Sequence, residues 1–276
     1  VKRAPYLAHC IAAVLLLCSP VCAEQQAQTT NATTFTWHGD FSLDERSMLA
    51  NWVQEAQEAL TALVGPLPFP IRIAIHQRDS PAQPVPWAHT RRTGVQGVDF
   101  YVDVSHAAEA FRQDWTAPHE LSHLVLPYLG RDAMWFAEGF ASYMQFRVMQ
   151  TAGILSAESV AARYRERLQR AETNYAHSDL PLPQATPRLR SEGNYPTLYW
   201  GGAVYFLRVD AALQQAGAPD LMSILRRYLA CCRQPRSSPE ALLDELDRLA
   251  GAPVFSDHYT RFQQEPGFPT YHDLLP

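Results

Sequence analysis

His119, Glu120, Leu121, Ser122 and His123 are followed, after a gap of fourteen residues from His123, by Glu138 in the run Trp135-Phe136-Ala137-Glu138-Gly139. This pattern constrains the chain more than any other, because any fold it adopts must bring the two pieces together. Residues four apart on an α-helix lie one above the other on the same face, so His119 and His123 can present two imidazole nitrogens to one point. Such a pair is a ligand set for zinc. Glu120 then lies beside that point rather than on it, placed to take a proton from a water whose pKa the metal lowers. The intervening residues suffice to end one helix, turn at 127–130, and start a second helix that points the Glu138 carboxylate back at the same place. Two histidines and one glutamate leave a fourth position open, as a catalytic site requires and a structural one does not. The plainer reading is a surface helix with hydrogen-bonded histidines and an ordinary helix-start acid at Glu138. The second half of the pattern weighs against it. One Zn²⁺ per chain, held by His119, His123 and Glu138, is the expectation.

At HELSH (119–123), WFAEGFASY (135–143) and YWGGA (199–203) the chain resembles the gluzincin metallopeptidases, in particular the aminopeptidase N and glycyl aminopeptidase group and the related peptidase MA-like domains. The resemblance covers about residues 95–215. It implies two ligands and the general base from the first motif, the third ligand from Glu138, and an oxyanion-stabilising tyrosine at Tyr199, three residues before Gly202. Thermolysin-like enzymes carry an aspartate four residues after the ligand glutamate, where this chain has Ser142, so the aminopeptidase-like branch fits better. Two features depart from that branch. The G-x-M-E-N loop, whose glutamate holds a substrate's free amine, has as its counterpart here Gly94-Val95-Gln96-Gly97-Val98-Asp99, and the usual lysine of the tyrosine motif is Gly201. There is also no room for the large β-domain that precedes the catalytic domain in those enzymes. Exopeptidase specificity is therefore not implied.

The first residues read as a secretory signal. Lys2 and Arg3 form a basic start, Ile11 to Leu17 an apolar core too short to span a bilayer, and Val21-Cys22-Ala23 a small-residue cleavage site. This predicts a signal peptide over 1–23, export to the periplasm or medium, and no stable membrane insertion after cleavage, with a membrane-anchored form as the alternative. A polar leader over 24–40 reads as a flexible tether ahead of a catalytic domain over 41–276. Three of the five cysteines lie within the signal, leaving Cys231 and Cys232. Adjacent cysteines rarely bridge each other because the eight-membered ring strains the peptide, so two reduced thiols or an intermolecular bridge are expected there. The formal charge of −5 becomes more negative once Lys2 and Arg3 leave. An acidic chain is a poor binder of nucleic acid.

Ser42 and Glu45 form a capping box for a helix to about residue 64, with apolar residues at helical spacing. Alternation predicts strands over 70–77 and 98–104, separated by a Pro-rich loop. Helices are expected over about 106–113, through HELSH, from Glu138, and over 156–176, 198–216, 219–230, 238–250 and 254–264. Strands followed by helices give the α+β class. The resemblance makes this a zincin-like domain, with a short mixed sheet beside the HExxH helix and a mostly helical C-terminal lobe over about 150–276.

The reading that follows is an exported zinc peptidase in which Glu120 is the base and Tyr199 the oxyanion donor. Its substrate is a peptide or protein. The rivals are a zincin-fold binding or scaffolding domain without turnover and a zinc hydrolase of a non-peptide substrate; an intact ligand set and base argue against the first. The 98–104 strand, if it lies at the sheet edge, offers its backbone to an extended substrate, and an interior strand is the equal alternative. With no amine anchor unless Asp99 turns towards the cleft, endopeptidase action is expected over strict aminopeptidase action.

Overall fold

Ser42 starts the first helix as its capping box predicts. Its Oγ accepts from the Glu45 amide, and Glu45 Oε2 accepts from the Ser42 amide at 2.7 Å. The computed structural model describes Val1 and residues 32–275, and the fold belongs to one unit, Asn31–Pro276. The helix so begun, α1 (Leu43–Val64), crosses between strands β1 (Thr33–His38) and β2 (Ile71–Gln77). β3 (Trp87–Arg91) and β4 (Gly97–Val102) complete a sheet of order β1-β2-β4-β3, in which β3 alone runs antiparallel. On one face Ile71, Ile73, Ile75, Val98, Phe100 and Val102 are buried. Trp52 of α1 meets Phe100 there edge-on, with ring centroids 5.1 Å apart. His76, Asp99 and Tyr101, at the alternate positions, lie on the opposite face.

The helices continue as α2 (Ala108–Gln113), α3 (Thr116–Ser122), α4 (Met134–Thr151), α5 (Ala157–Thr173), α6 (Leu182–Ser191), α7 (Tyr195–Gln215), α8 (Leu221–Cys231), α9 (Pro239–Ala250) and α10 (Val254–Phe262). α4 is buried on nearly every side, which its sequence shows as apolar residues without a polar stripe. Its main partner is α7, and two glycines set the distance between them. A Cβ on Gly139 would fall 2.2 Å from the Gly202 carbonyl carbon, and one on Gly202 would fall 2.0 Å from the Trp135 carbonyl oxygen. The backbones therefore touch at this crossing, with Trp135, Phe136, Tyr205 and Phe206 packed around it. The fold is α+β, as expected, with a mixed sheet ahead of a helical lobe.

Several expectations need correction. Residues 33–38, assigned to a flexible leader, form β1, because pairing with β2 satisfies a backbone that sequence alone shows only as polar and short. The stretch expected to be a signal peptide, from residue 2 on, and the expected leader up to residue 31 lie outside the described residues. β4 is interior, with β2 on one side and β3 on the other, so the sheet edge on this side is β3, hidden in what reads as a Pro-rich loop, and the other edge is β1. α6 escapes sequence reading because Pro183 and Pro187 argue against a helix, yet Pro183 sits in its first turn, where no amide partner is needed. Cys231 and Cys232 are bridged rather than reduced. The chain leaves α8 at this point, and Cys232 takes a non-helical conformation that brings the two sulfurs together. Among the described residues no helix is long and apolar enough to cross a membrane.

Candidate metal centre

α3 carries His119 and Glu120 one turn before its end, and His123 is its C-terminal cap. The helix is short because the chain turns sharply there: Leu124 and Val125 donate to carbonyls three residues back, tightening the last turn. The carbonyls left over are taken by two arginines from elsewhere. Arg233, just past α8, donates to Leu124 O and Val125 O, and Arg92, just past β3, donates to Leu126 O at 3.0 Å. Neither is visible as a site residue in the sequence, since a helix-end carbonyl accepts from any donor that the fold delivers.

His119 Nε2 lies 3.2 Å and His123 Nε2 3.3 Å from the same Glu138 oxygen, Oε2. Four ligands at about 2.0 Å from a tetrahedral zinc are about 3.3 Å from one another. The three side chains therefore already stand at ligand spacing, and their chemistry, two imidazoles and a carboxylate, fits zinc. Both rings are buried and nearly perpendicular, and both Nε2 atoms approach the same Glu138 oxygen. A Glu120 oxygen is also within 4.8 Å of both histidines. Glu120, however, is held by Thr90 of β3, whose hydroxyl donates to Glu120 Oε2 at 2.7 Å. Glu138 thus has the two histidines as its partners, while Glu120 has Thr90.

Burial alone would raise the Glu138 carboxyl, but His123 and His119 outweigh it and hold the group well below the usual carboxylate range. It is ionised at any physiological pH, as a ligand must be. His119 Nδ1 faces Gln145 Oε1 at 2.9 Å in a buried contact. A carbonyl oxygen only accepts, so this bond requires Nδ1–H and leaves Nε2 free for a metal.

Tyr199, on the first turns of α7, lies across the site with its ring centroid 5.7 Å from that of His119. Burial, then Glu138 and Glu120, push its phenol above the ordinary tyrosine value, so it remains a proton donor. Tyr195 is exposed and one turn further out, 6.3 Å from Tyr199. Trp115 packs edge-on against His119 from the other side. All five residues singled out in the sequence, His119, Glu120, His123, Glu138 and Tyr199, thus meet in one place. Thr90, Gln145, Arg92 and Arg233 are additions of the structure. Asp99 is not at the site: it lies on the opposite face of the sheet, paired with Arg91 at 3.1 Å and His89 at 3.3 Å.

Residues 128–201, a span holding Glu138 and Tyr199 but starting after HELSH, match the family model of M61 glycyl aminopeptidases. Among solved structures, an aminopeptidase N family protein from Idiomarina loihiensis is similar over 88% of this chain and 46% of its own, with a TM-score of 0.63 and 14% identity. Leukotriene A4 hydrolase from Saccharomyces cerevisiae is similar over 86% and 38%, with a TM-score of 0.59 and 13% identity. An M1 zinc metallopeptidase from Deinococcus radiodurans is similar over 86% and 49%, with a TM-score of 0.51 and 17% identity. No curated protein matches the chain. The chain spans half the length of these structures or less, and at such identity the likeness is one of fold. The match over 128–201 and the likeness in fold point the same way, to M61 and M1 zinc metallopeptidases as the proteins this chain is similar to.

Proposed function

We propose that this chain is an exported zinc-dependent peptidase that cleaves peptide bonds with Glu120 as general base. The observation that carries the reading is the convergence of His119 and His123 on one Glu138 oxygen, with Glu120 held just off that point by Thr90. A zinc ion bound by the three ligands would supply Lewis acidity to the scissile carbonyl and lower the pKa of the attacking water. The residues do the rest. Glu120 takes the proton from that water and returns it to the leaving amine, and the Thr90 hydroxyl keeps its carboxylate aimed. Tyr199 donates to the oxygen that becomes negative as the carbonyl carbon turns tetrahedral. Gln145 holds His119 in the tautomer that binds metal.

β3 supplies the place for the substrate backbone. Its one side is paired to β4, its other side has no strand partner among the described residues, and Thr90 ties it to the base. An extended peptide can add to that edge and pass its carbonyl over the metal. With Asp99 turned away, the β3–β4 loop offers no carboxylate to an N-terminal amine, which supports endopeptidase action. Export rests on the signal-like first 23 residues.

The test is Glu120→Gln. It keeps size and hydrogen bonding but removes the base, so zinc content by elemental analysis should stay at about one per chain while peptide cleavage falls by about 10²–10⁴-fold. Near-normal turnover would show that Glu120 is not the base, and metal content unchanged in a His119→Ala, His123→Ala double variant would remove the metal centre. Paired peptides with free and acetylated N-termini, read by mass spectrometry, decide the cleavage mode: single residues released only from the free form would overturn endopeptidase action.

A further inference from the structure

α8 ends in two adjacent cysteines, and the residue after them holds the end of the helix that carries the metal-site histidines. Cys231 closes α8, Cys232 is its cap, and the two sulfurs are bridged. Cys231 is exposed and Cys232 half-buried. Arg233 follows at once. Its Nε donates to Val125 O at 3.1 Å, and its Nη2 donates to Leu124 O at 3.0 Å and to Gln96 Oε1 at 2.9 Å. The backbone continues the contact: the Tyr128 amide donates to Pro235 O at 3.1 Å, and the Ser237 amide to Tyr128 O at 3.2 Å. Residues 233–237 are thus laced to 124–128, the stretch that starts straight after His123 and leads to Glu138.

The bridge fixes how the chain enters this lacing. Its eight-membered ring includes the peptide between the two cysteines, so it restrains the backbone of both. Cys232 stands at φ −137° and ψ −3°, off the helix, and its amide and that of Arg233 both donate to Tyr228 O, at 2.9 and 3.1 Å. With helical dihedrals at Cys232, α8 would run on by a residue and Arg233 would leave the carbonyls it now holds. The pair is also placed for exchange. Cys231 Sγ is 4.0 Å from Glu245 Oε1, and Cys232 Sγ is 3.7 Å from Arg248 Nη2, a guanidinium itself paired with Glu245. A reductant attacks the exposed Cys231 sulfur, the S–S bond breaks, and its electron pair leaves on Cys232 as a thiolate beside the Arg248 charge. With a phosphine, water then supplies the oxygen of the phosphine oxide and the protons of both thiols. A dithiol reaches the same two thiols through a mixed disulfide and ends as its own cyclic disulfide.

We propose that the Cys231–Cys232 pair is a redox switch on the metal centre. Bridged, it holds Arg233 and the segment after it on the end of α3. Reduced to two thiols, it lets that segment go, and the spacing of His119 and His123 against Glu138 loosens. This rests on the metal-centre reading of the site, not on its being a peptidase. Export, as proposed above, carries the pair from a reducing to an oxidising compartment, so the centre tightens where the enzyme is to act.

The full chain is compared with its bridge closed and after treatment with a water-soluble phosphine, and alkylation of Cys231 and Cys232, read by peptide mass, shows which form is present. In the metal-free chain, hydrogen exchange at the amides of 124–128 should be about 10-fold faster in the reduced form, while those of α5 stay unchanged. Zinc affinity, by competition with a chromogenic chelator, should fall about 10-fold, the low end of the loss when the support of a metal ligand is removed. Cys231→Ser combined with Cys232→Ser should behave as the reduced form and ignore the phosphine. Arg233→Ala, with the bridge intact, should exchange as fast as the reduced wild type, and Arg233→Gln serves if that variant fails to fold. Equal exchange and equal affinity in the two forms would overturn the switch. So would a double serine variant that keeps the affinity of the bridged chain, or a phosphine effect of the same size in that variant. Faster exchange on reduction in a chain that binds no zinc in either form would remove the metal centre and leave the lever at the end of α8 standing.

Discussion

At the scale of single residues, the site depends on groups that touch no substrate. The buried contact from His119 Nδ1 to Gln145 Oε1 chooses the tautomer. Gln145→Leu keeps the bulk but lets the imidazole turn or protonate the wrong nitrogen. Zinc affinity should fall about 10- to 100-fold, measured by competition with a chromogenic chelator, and Gln145→Glu, which restores an acceptor, should recover most of it. Tyr199 makes a different claim. If its phenol meets the oxyanion, Tyr199→Phe should lower kcat by about 10²-fold and leave KM nearly unchanged, since the bond strengthens only as charge develops. Tyr195→Phe, one turn further out, should change little; the opposite ranking would give the role to Tyr195. Of these groups, Tyr199 was legible in the sequence through its spacing to Gly202, whereas Gln145 was not. A glutamine seven residues past Glu138 has no pattern of its own, and only the helix geometry turns it towards His119.

At the scale of elements, the two halves of the site ride on different helices, and the glycine contact between α4 and α7 sets how they meet. Glu138 is next to Gly139, and Tyr199 is three residues before Gly202. Gly202→Ala places a methyl 2.0 Å from the Trp135 carbonyl, an overlap the backbones can relieve only by separating. Stability should drop by about 1–3 kcal/mol in denaturant titration, the usual cost of overpacking. Catalysis should drop further than the unfolded fraction explains, because Glu138 and Tyr199 part with the helices. A variant with lost stability and full specific activity would show the two helices to be uncoupled from the chemistry. The same glycines appear in the sequence as part of motifs, but as letters they do not say that one backbone lies against the other. The β3 strand illustrates the reverse case. Its local sequence, between prolines and the loop at 92–96, carries no strand signal, and its conformation comes from pairing with β4.

At the scale of the whole molecule, the contacts of His119 and His123 with Glu138 tie the end of α3 to the start of α4, and the arginine clamps tie the chain between them to β3 and to the segment after α8. A bound metal then acts as a cross-link across the fold. Removing it with a chelator should lower the melting temperature, and readding zinc at about a thousandfold over its dissociation constant should return about 4 kcal/mol. The His119→Ala, His123→Ala variant should show no such response in calorimetry. An unchanged melting temperature on metal removal in the wild type would mean that the ligand cluster stands on its own packing.

The amino-acid sequence by itself determined the parts of this protein that depend on short-range geometry. Histidines four apart on a helix, a capping box at Ser42 and alternating strands at 70–77 and 98–104 follow from periods of 3.6 and 2 and need no partner to be read. The α+β order came with them, while the roles of the five site residues came from the resemblance of the motifs. Tertiary structure alone decided what depends on a neighbour far along the chain: that β3 rather than β4 is the edge, that 33–38 is a strand, that Asp99 faces away from the metal centre, and that Arg92 and Arg233 hold the end of α3. Each of these is an interaction between segments whose own sequences are neutral about it, so its free energy exists only once the sheet and helices have been assembled.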